Sequence, residues 1–187
     1  MSSTVILIKK YWAEFPPQLR RFVIKALLLI IIWKLSYHLY LQPHRTIDQP
    51  LTAITTATTV GVLNLFYKNQ ELSWIDAKDN LSAAYINLDG RRSLGIGDGC
   101  NGLELFVLYA GFIFCMPTNF KRAAIFIIAG IVGIFILNIL RCCGMFWFSL
   151  HKKEWFDFAH HYAFKIIVYA AIFGAWVWYS RKINHNE

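Results

Sequence analysis

Long apolar runs with almost no charged residues limit the fold of this chain more than any other feature. Of its 187 residues, 57% are hydrophobic, and a soluble domain of that length cannot bury so much apolar surface. The lipid bilayer must therefore act as the solvent for part of the chain. Four runs are predicted to cross it: Phe22–Leu41, Gly102–Pro117, Ala123–Phe148 and Tyr162–Tyr179. We expect an all-α integral membrane helical bundle with four transmembrane helices.

The basic residues indicate which helix ends face the cytoplasm. They cluster before the first run, between the second and third, and after the last: Lys9, Lys10, Arg20, Arg21, Lys121, Arg122, Arg181 and Lys182. The connection from His44 to Gly99 instead holds five Lys and Arg against six Asp and Glu. Because loops rich in Lys and Arg stay cytoplasmic, this connection is predicted to lie outside. The net charge of +8 then reflects topology and contact with anionic lipid, not binding of nucleic acid.

A fifth apolar stretch, Leu51–Tyr67, is weaker and rich in threonine. If it crossed the membrane fully, residues 69–100 would lie inside and Lys121 outside, against the charge pattern. We therefore predict an interfacial or re-entrant helix on the outer face, and the threonines suit a wetter position there: Thr46, Thr52, Thr55, Thr56, Thr58 and Thr59. A five-span arrangement is the alternative.

The Asp89-Gly90 pair predicts a small β-hairpin in the outer connection. It separates two short alternating runs, Ala84–Leu88 and Arg91–Ile96. Asp-Gly between two such runs is a strong signal for a tight turn between antiparallel strands. The second strand of the hairpin would lead directly to Cys100.

The chain contains no internal repeat, so residues 1–187 are predicted to form one membrane domain. Residues 1–20 are the expected cytoplasmic N-terminal segment. Residues 43–100 are the outer loop, with the interfacial helix and the hairpin. Residues 101–180 are the helical core, which carries most of the polar residues that suggest chemistry.

Cys100 stands in the polar sequence Gly97–Gly102, at the mouth of a predicted membrane helix. The N–H groups and the dipole at the N-terminus of a helix favour a thiolate, which is the nucleophilic form of cysteine. Asp98 would oppose this if it were ionised and close. The alternative is a cysteine that only packs, and three others with apolar neighbours fit that role: Cys115, Cys142 and Cys143.

Arg141 lies late in the third predicted span. A charge inside the bilayer is costly, so such an arginine usually faces a cavity and has partners. Counted from Ala123 at 1.5 Å per residue, it lies about 27 Å along the helix, near the outer boundary. Snorkelling to lipid headgroups is therefore the alternative. Asn138, one turn below on the same face, favours a polar inner stripe.

Two adjacent histidines, His160 and His161, precede the last span. On a helix, Asp157 would lie one turn from both and could orient an imidazole or hold its charge. The alternative is an ordinary interfacial histidine beside aromatic residues. Under the predicted topology, Cys100, Arg141 and the histidines all fall on the outer side, which favours one shared site.

Three short motifs together resemble the exosortase/archaeosortase family: Gly99–Gly102, Asn138–Arg141 and His160–Tyr162. These proteins are integral membrane cysteine transpeptidases, and the chain is similar to their short, core-only bacterial type. The likeness covers about residues 50–180. It implies that Cys100 is the nucleophile, Arg141 a cationic stabiliser and His160 the general acid and base. The supporting residues would be His161, Asn138, Asn101, Gly102 and Asp157, with no cofactor and no metal.

The resemblance also implies a reaction and a location. Family members cleave the C-terminal sorting tails of exported proteins through a thioester, at the outer face of the inner membrane. The expected partners are membrane lipids and exported proteins whose tails carry a motif, an apolar helix and a basic end, with no nucleic acid. The sorting motif, the acceptor, hydrolysis or transpeptidation, the oligomeric state and the choice between His160 and His161 stay open.

Two other functions compete with this interpretation. A non-enzymatic subunit for assembly or export could use Arg141 and the histidines to bind lipid or a partner helix. A thiol–disulfide oxidoreductase needs paired redox cysteines, and the sequence has no Cys-x-x-Cys motif. A metal site from the histidines with Cys142 or Cys143 is disfavoured, because adjacent residues on a helix cannot easily aim at one ion.

Overall fold

The computed structural model describes residues 16–76, 82–116 and 119–184. The helices are α1 (Pro17–Ser36), α2 (Asp48–Leu63), α3 (Leu103–Cys115), α4 (Phe120–His151), α5 (Lys153–Phe158) and α6 (Phe164–Asn184). The strands are β1 (Leu72–Asp76), β2 (Ala83–Leu88) and β3 (Arg91–Gly97). A π-helical turn and a short helical stretch, Tyr37–Leu41 and Gln42–His44, extend α1, and a second π-helical turn, Ala159–Ala163, joins α5 to α6. Residues 1–15 of the predicted cytoplasmic segment lie outside the described residues.

Within the described residues, three helical stretches are long and apolar enough to cross a membrane. They are Leu19–His44, Phe120–His151 and Lys153–Arg181. These stretches contain the first, third and fourth predicted spans, so those three predictions are confirmed by length and composition. Their apolar windows are at most 17% buried within the protein, as expected for helices whose outer faces contact lipid.

The second predicted span, Gly102–Pro117, corresponds to the shorter helix α3. Its 13 residues extend about 20 Å at 1.5 Å per residue, whereas the hydrocarbon core of a bilayer is about 30 Å thick. The helix is short because Gly102 has left-handed backbone, with φ of 89°, and Met116 is extended. Length therefore supports three spans, and the fourth remains a prediction.

Ring contacts show that α1 and α3 run antiparallel, that α4 and α6 run antiparallel, and that α3 and α6 run parallel. Phe22, near the start of α1, packs edge-on against Phe112, near the end of α3, with ring centroids 5.1 Å apart. Phe112 also stacks on Trp176 of α6, with centroids 4.1 Å apart. Phe126, near the start of α4, lies 4.7 Å from the ring of Tyr179 near the end of α6. The start of α1, the end of α3, the start of α4 and the end of α6 thus share one end of the bundle.

Most threonines of α2 face the protein and not water, so the wetter position expected for them was wrong there, whereas Thr46, ahead of the helix, and Thr58 are exposed. Four are buried: Thr52, Thr55, Thr56 and Thr59. Thr56 and Thr59 donate to carbonyl oxygens four residues earlier, at 2.7 Å, which satisfies the hydroxyls within the helix. The helix packs against α4 and the sheet. Its predicted interfacial or re-entrant position stays a prediction.

The connection between α2 and the Cys100 segment folds as a three-stranded antiparallel sheet in the order β1-β2-β3. The predicted hairpin is confirmed as β2 and β3, and both turn residues have left-handed backbone, with φ of 49° at Asp89 and 75° at Gly90. Positive φ at both positions matches the twist of the paired strands. Strand β1 was not predicted, because only two alternating runs flanked the turn signal. The fold is thus mostly helical with a small sheet, and not a helical bundle with a bare hairpin.

Two apolar clusters hold these elements together. The sheet-side cluster joins α2, the sheet and the second half of α4: Val60, Leu63, Ile86, Leu94, Ile96, Cys142, Met145, Phe146 and Ala159. The bundle cluster joins α3, α4 and α6: Tyr109, Ile113, Ile134, Val168, Ile172 and Tyr179. Leu94 and Ile96 of β3 belong to the sheet-side cluster, so the strand that immediately precedes the Cys100 segment is held in place by packing.

Candidate active site

Cys100 lies in a short connection between β3 and α3. A single 3₁₀ turn covers Asp98–Cys100, and Asn101 and Gly102 follow before α3 begins at Leu103. We call residues 98–102 the Cys100 loop. The thiol is therefore ahead of the helix and not inside its first turn. Its hydrogen bonds come from side chains on other elements.

The sulfur of Cys100 is contacted by a guanidinium and an imidazole. Arg141 of α4 places its Nη2 atom 3.1 Å from Cys100 Sγ. His160, in the π-helical turn before α6, places its Nε2 atom 3.6 Å from the same sulfur. Irregular π-helical turns are frequent at functional sites. The structure thus brings together the three residues that the sequence motifs singled out.

Asn138 connects Arg141 with the backbone of the Cys100 loop. Its Nδ2 atom donates to the carbonyl oxygen of Cys100 at 2.9 Å, and its Oδ1 atom accepts from Arg141 Nη1 at 3.3 Å. The side chain is fully buried. The Nε atom of Arg141 is also buried and finds no hydrogen-bond partner among the described residues, which leaves one donor of the fork uncommitted.

The two histidines have different surroundings. His161 is exposed, and its Nδ1 atom lies 3.1 Å from the backbone oxygen of Asp157. Within the described residues, the exposed carboxylate of Asp157 forms no hydrogen bond with either imidazole. His160 is instead half-buried, with its ring near Phe156. The geometry brings His160 to the thiol and leaves His161 and Asp157 at the surface.

Asp98, whose negative charge would oppose a thiolate at Cys100, is paired with Arg45. Arg45 Nε donates to Asp98 Oδ2 at 2.7 Å and Arg45 Nη2 donates to Asp98 Oδ1 at 3.0 Å. Thr52 Oγ1 donates to Asp98 Oδ1 at 2.8 Å. The hydrogen bonds that Arg45 donates to Asp98 raise the pKa of the Arg45 guanidinium above its ordinary value. The charge of Asp98 is therefore matched by a partner ahead of α2.

Asn101 and Gly102 shape the other side of the loop. Asn101 Nδ2 donates to Asp48 Oδ1 at 2.8 Å and to Thr52 Oγ1 at 3.3 Å, and its Oδ1 atom accepts from the backbone N–H of Leu103 at 2.9 Å. Gly102 has φ of 89°, a conformation in which a residue with a Cβ atom would be strained. Both residues therefore fix the path of the backbone after Cys100.

The sequence reasoning missed part of this polar surround: Arg45, Asp48 and Thr52. A signal was present, because Asp48 and Thr52 are four residues apart and share one face of α2. A carboxylate on a helix face that is otherwise threonine and apolar needs a partner when it is buried. What the sequence did not reveal is that this partner is the Cys100 loop.

A cavity of about 330 Å³ adjoins the Cys100 loop, between α1 and α6. Its lining is Trp33, Lys34, Tyr37, Asp48, Asp98, Gly99, Asn101, Gly102, Leu103, Glu104, Leu105, Arg141, Phe164, Lys165, Val168 and Tyr169. Lys34 and Glu104 form an ion pair of 2.6 Å on this lining, and both side chains are about half exposed. The cavity therefore reaches Arg141 and both backbone neighbours of Cys100.

The four cysteines are free thiols, and Cys115 and Cys142 are buried. In the described part of the chain, no group of three or more His, Cys, Asp or Glu residues is placed to hold a metal ion.

Comparison with known proteins gives one match. A family model described as transmembrane exosortase (Exosortase_EpsH) matches residues 4–178, which include every residue of the site. No curated protein and no solved structure matches the chain.

Proposed function

Because the chain belongs to the transmembrane exosortase family, we propose that it is a membrane-embedded cysteine transpeptidase that removes C-terminal sorting tails from exported proteins. The observation that carries the proposal is the position of Cys100 Sγ, 3.1 Å from Arg141 Nη2 and 3.6 Å from His160 Nε2. A thiol between a fixed cation and an imidazole has a cation that stabilises its thiolate form and a base that can accept its proton. Thiol acyl transfer needs both.

In the first half of the reaction, His160 accepts the thiol proton and Cys100 attacks the carbonyl carbon of the scissile peptide bond. A C–S bond forms as the carbonyl electron pair moves onto oxygen. Since the negative charge leaves sulfur for this oxygen, Arg141 Nη2–H and the uncommitted Nε–H turn to the oxyanion. The C–N bond then breaks, and His160 gives its proton to the departing amine. The product is a thioester on Cys100 and a released tail.

In the second half, an acceptor amine or water resolves the thioester. His160 takes a proton from the attacking nucleophile, which adds to the thioester carbonyl. The C–S bond breaks, and the sulfur leaves as a thiolate beside Arg141 until it regains the proton from His160. An amine acceptor gives transpeptidation and water gives hydrolysis. The same three side chains serve both outcomes.

The cavity between α1 and α6 supports a route for the substrate. Its lining includes the aromatic residues Trp33 and Tyr169, Arg141, and the backbone neighbours of Cys100, Gly99 and Asn101. An extended segment of the tail would lie in this cavity, while the apolar helix of the tail stays in lipid beside α1 and α6. Such a placement keeps the scissile carbonyl close to the backbone around Cys100 and holds the reacting groups in proximity.

The charge distribution supports an active site on the outer face of the inner membrane. The basic residues Arg20, Lys121 and Arg181 occupy the starts of α1 and α4 and the end of α6. Those helix ends share one end of the bundle, and Cys100 lies toward the other. Because basic ends stay cytoplasmic, the thiol faces the periplasm or the exterior.

The direct test is processing of a co-expressed exported protein that ends in a polar motif, an apolar helix and basic residues. We expect Cys100→Ala to abolish loss of the tail, followed by gel mobility and by mass spectrometry of the new C-terminus. Cys143→Ala is the matched control, since it removes a similarly half-buried thiol that takes no part in the proposed chemistry. Undiminished processing by Cys100→Ala would end the proposal.

A further inference from the structure

The Cys100 loop is tied to α2 by a continuous network of side chains. Arg45 binds Asp98, Asp98 accepts from Thr52, Thr52 accepts from Asn101, and Asn101 donates to Asp48. Thr52 is the central member. Its hydroxyl donates to Asp98 Oδ1 at 2.8 Å and accepts from Asn101 Nδ2 at 3.3 Å. One hydroxyl therefore connects the residues on both sides of the Gly99–Cys100 pair.

Burial makes this network sensitive to loss of a member. Thr52 is 0% exposed, and Asp48 and Asn101 are each 1% exposed. Water cannot easily replace a lost partner at these positions, so an orphaned carboxylate or amide would have to move in order to find one. The groups free to move belong to the Cys100 loop, because Asp48 and Thr52 are set in a helix.

The network acts on the thiol through the backbone. The loop is held at Asp98 and Asn101 by α2, and at the Cys100 carbonyl by Asn138 of α4. These attachments place Cys100 Sγ between Arg141 and His160, which both belong to other elements. A displacement of about 1 Å at a reacting group can cost roughly 10²-fold in rate.

The other buried threonines of α2 show that Thr52 is more than a packing residue. Thr56 and Thr59 donate to carbonyl oxygens of their own helix. Thr55 is equally buried, but its hydroxyl has no hydrogen-bond partner among the described residues. Thr52 differs because its hydroxyl reaches the loop that carries the thiol.

We propose that Thr52 is a positioning residue, which holds the Cys100 loop so that the thiol meets Arg141 and His160. This inference rests on the proposed function for its catalytic consequence, but the placement of the thiol can be measured separately. Thr52 does not touch the reacting atoms, and its effect passes through Asp98 and Asn101.

The test compares Thr52→Val with Thr55→Val in the full-length membrane protein. Both changes replace a buried hydroxyl by a methyl group of similar shape on the same helix. We expect Thr52→Val to lower kcat for tail removal by about 10- to 100-fold with little change in KM, because the thiol is misplaced while the cavity is kept. Thr55→Val should match the parent chain, and Thr52→Ser should recover most of the activity because the hydroxyl returns.

A second readout does not need the substrate. In a chain whose only cysteine is Cys100, alkylation by a small haloacetamide at neutral pH should be several-fold slower in Thr52→Val than in Thr55→Val, since the sulfur loses its place beside Arg141. Equal alkylation and equal kcat in the two variants would overturn the inference. If Cys100→Ala keeps processing while Thr52→Val still slows alkylation, the proposed function fails and the positioning role stands.

Discussion

The Cys100 loop and the bundle cluster hold their buried polar groups in opposite ways. Around the loop, Thr52, Asn101 and Asn138 are at most 1% exposed, and each makes hydrogen bonds to other elements. In the helical bundle, Tyr109 donates its hydroxyl to the Phe126 carbonyl oxygen. The hydroxyl of Tyr179 and the indole N–H of Trp176, however, are buried without a partner among the described residues. Polar atoms thus locate the backbone in the first region, whereas aromatic residues mainly fill space in the second.

This difference predicts which property of the protein, catalytic rate or stability, depends on each region. An unpaired buried polar group costs about 1–3 kcal/mol, so the bundle keeps Tyr179 and Trp176 for their volume despite that cost. At the loop, Thr52, Asn101 and Asn138 are satisfied by hydrogen bonds that fix the backbone around the thiol. Substitutions near the loop should therefore change the rate of tail processing, and substitutions in the bundle should change stability.

Apart from Cys100 itself, the largest effect on the rate is expected from the two histidines, compared as His160→Ala and His161→Ala. A general acid and base contributes about 10²–10⁴-fold in rate, and the structure places His160 Nε2 3.6 Å from the sulfur. We expect His160→Ala to lose activity by that factor and His161→Ala, at an exposed position, to stay near the parent value. Initial rates of tail removal measure both. A reversed order would assign the proton transfer to His161.

A slightly smaller effect is expected for Arg141→Lys. Lysine keeps the charge, but it cannot contact Asn138 and the Cys100 sulfur at once, because it lacks the planar fork. Loss of an oxyanion donor costs about 10²–10³-fold in rate, while melting in detergent should change little. Arg91→Lys is the matched control, the same change at an exposed position of the sheet that does not line the cavity. Full activity of Arg141→Lys would leave arginine with an anchoring role only.

The sequence predicted the elements of this site better than their supports. Local signals were enough for the hairpin at Asp89-Gly90 and for the long apolar helices. The convergence of Cys100, Arg141 and His160 was predicted because the charge pattern puts all three motifs on the same side of the membrane. These predictions depend on patterns within short windows of sequence.

What the sequence could not reveal depends on contacts between distant segments. Strand β1 exists because Leu72–Asp76 pairs with β2 of the hairpin, and its own pattern gives little signal. The threonines of α2 look like residues for a wet surface until the helix is known to pack against α4, the sheet and the Cys100 loop. The choice between His160 and His161 depends on a π-helical turn, which shifts the facing of side chains away from ordinary helical spacing.

The smallest effect tests the bundle side of the comparison, with Gly130→Ala against Gly133→Ala in α4. A Cβ atom on Gly130 would lie 2.0 Å from the ring of Tyr109, whereas one on Gly133 would have no atom within 4 Å. Overpacking of this kind costs about 1–3 kcal/mol, and alanine in an open helix position gains up to about 1 kcal/mol over glycine. We therefore expect the melting temperature in detergent to fall for Gly130→Ala and to stay or rise for Gly133→Ala.

The rate of tail processing by these two variants tests whether the bundle and the Cys100 loop act independently. Gly130 packs in the bundle cluster, more than two helical turns before Asn138, so the folded fraction of Gly130→Ala should process tails at the parent rate per molecule. A rate that falls together with the melting temperature would show that packing of Tyr109 is transmitted along α4 to Asn138 and Arg141. In that case the bundle would also set the geometry of the thiol, and the division between a positioning region and a packing region would fail.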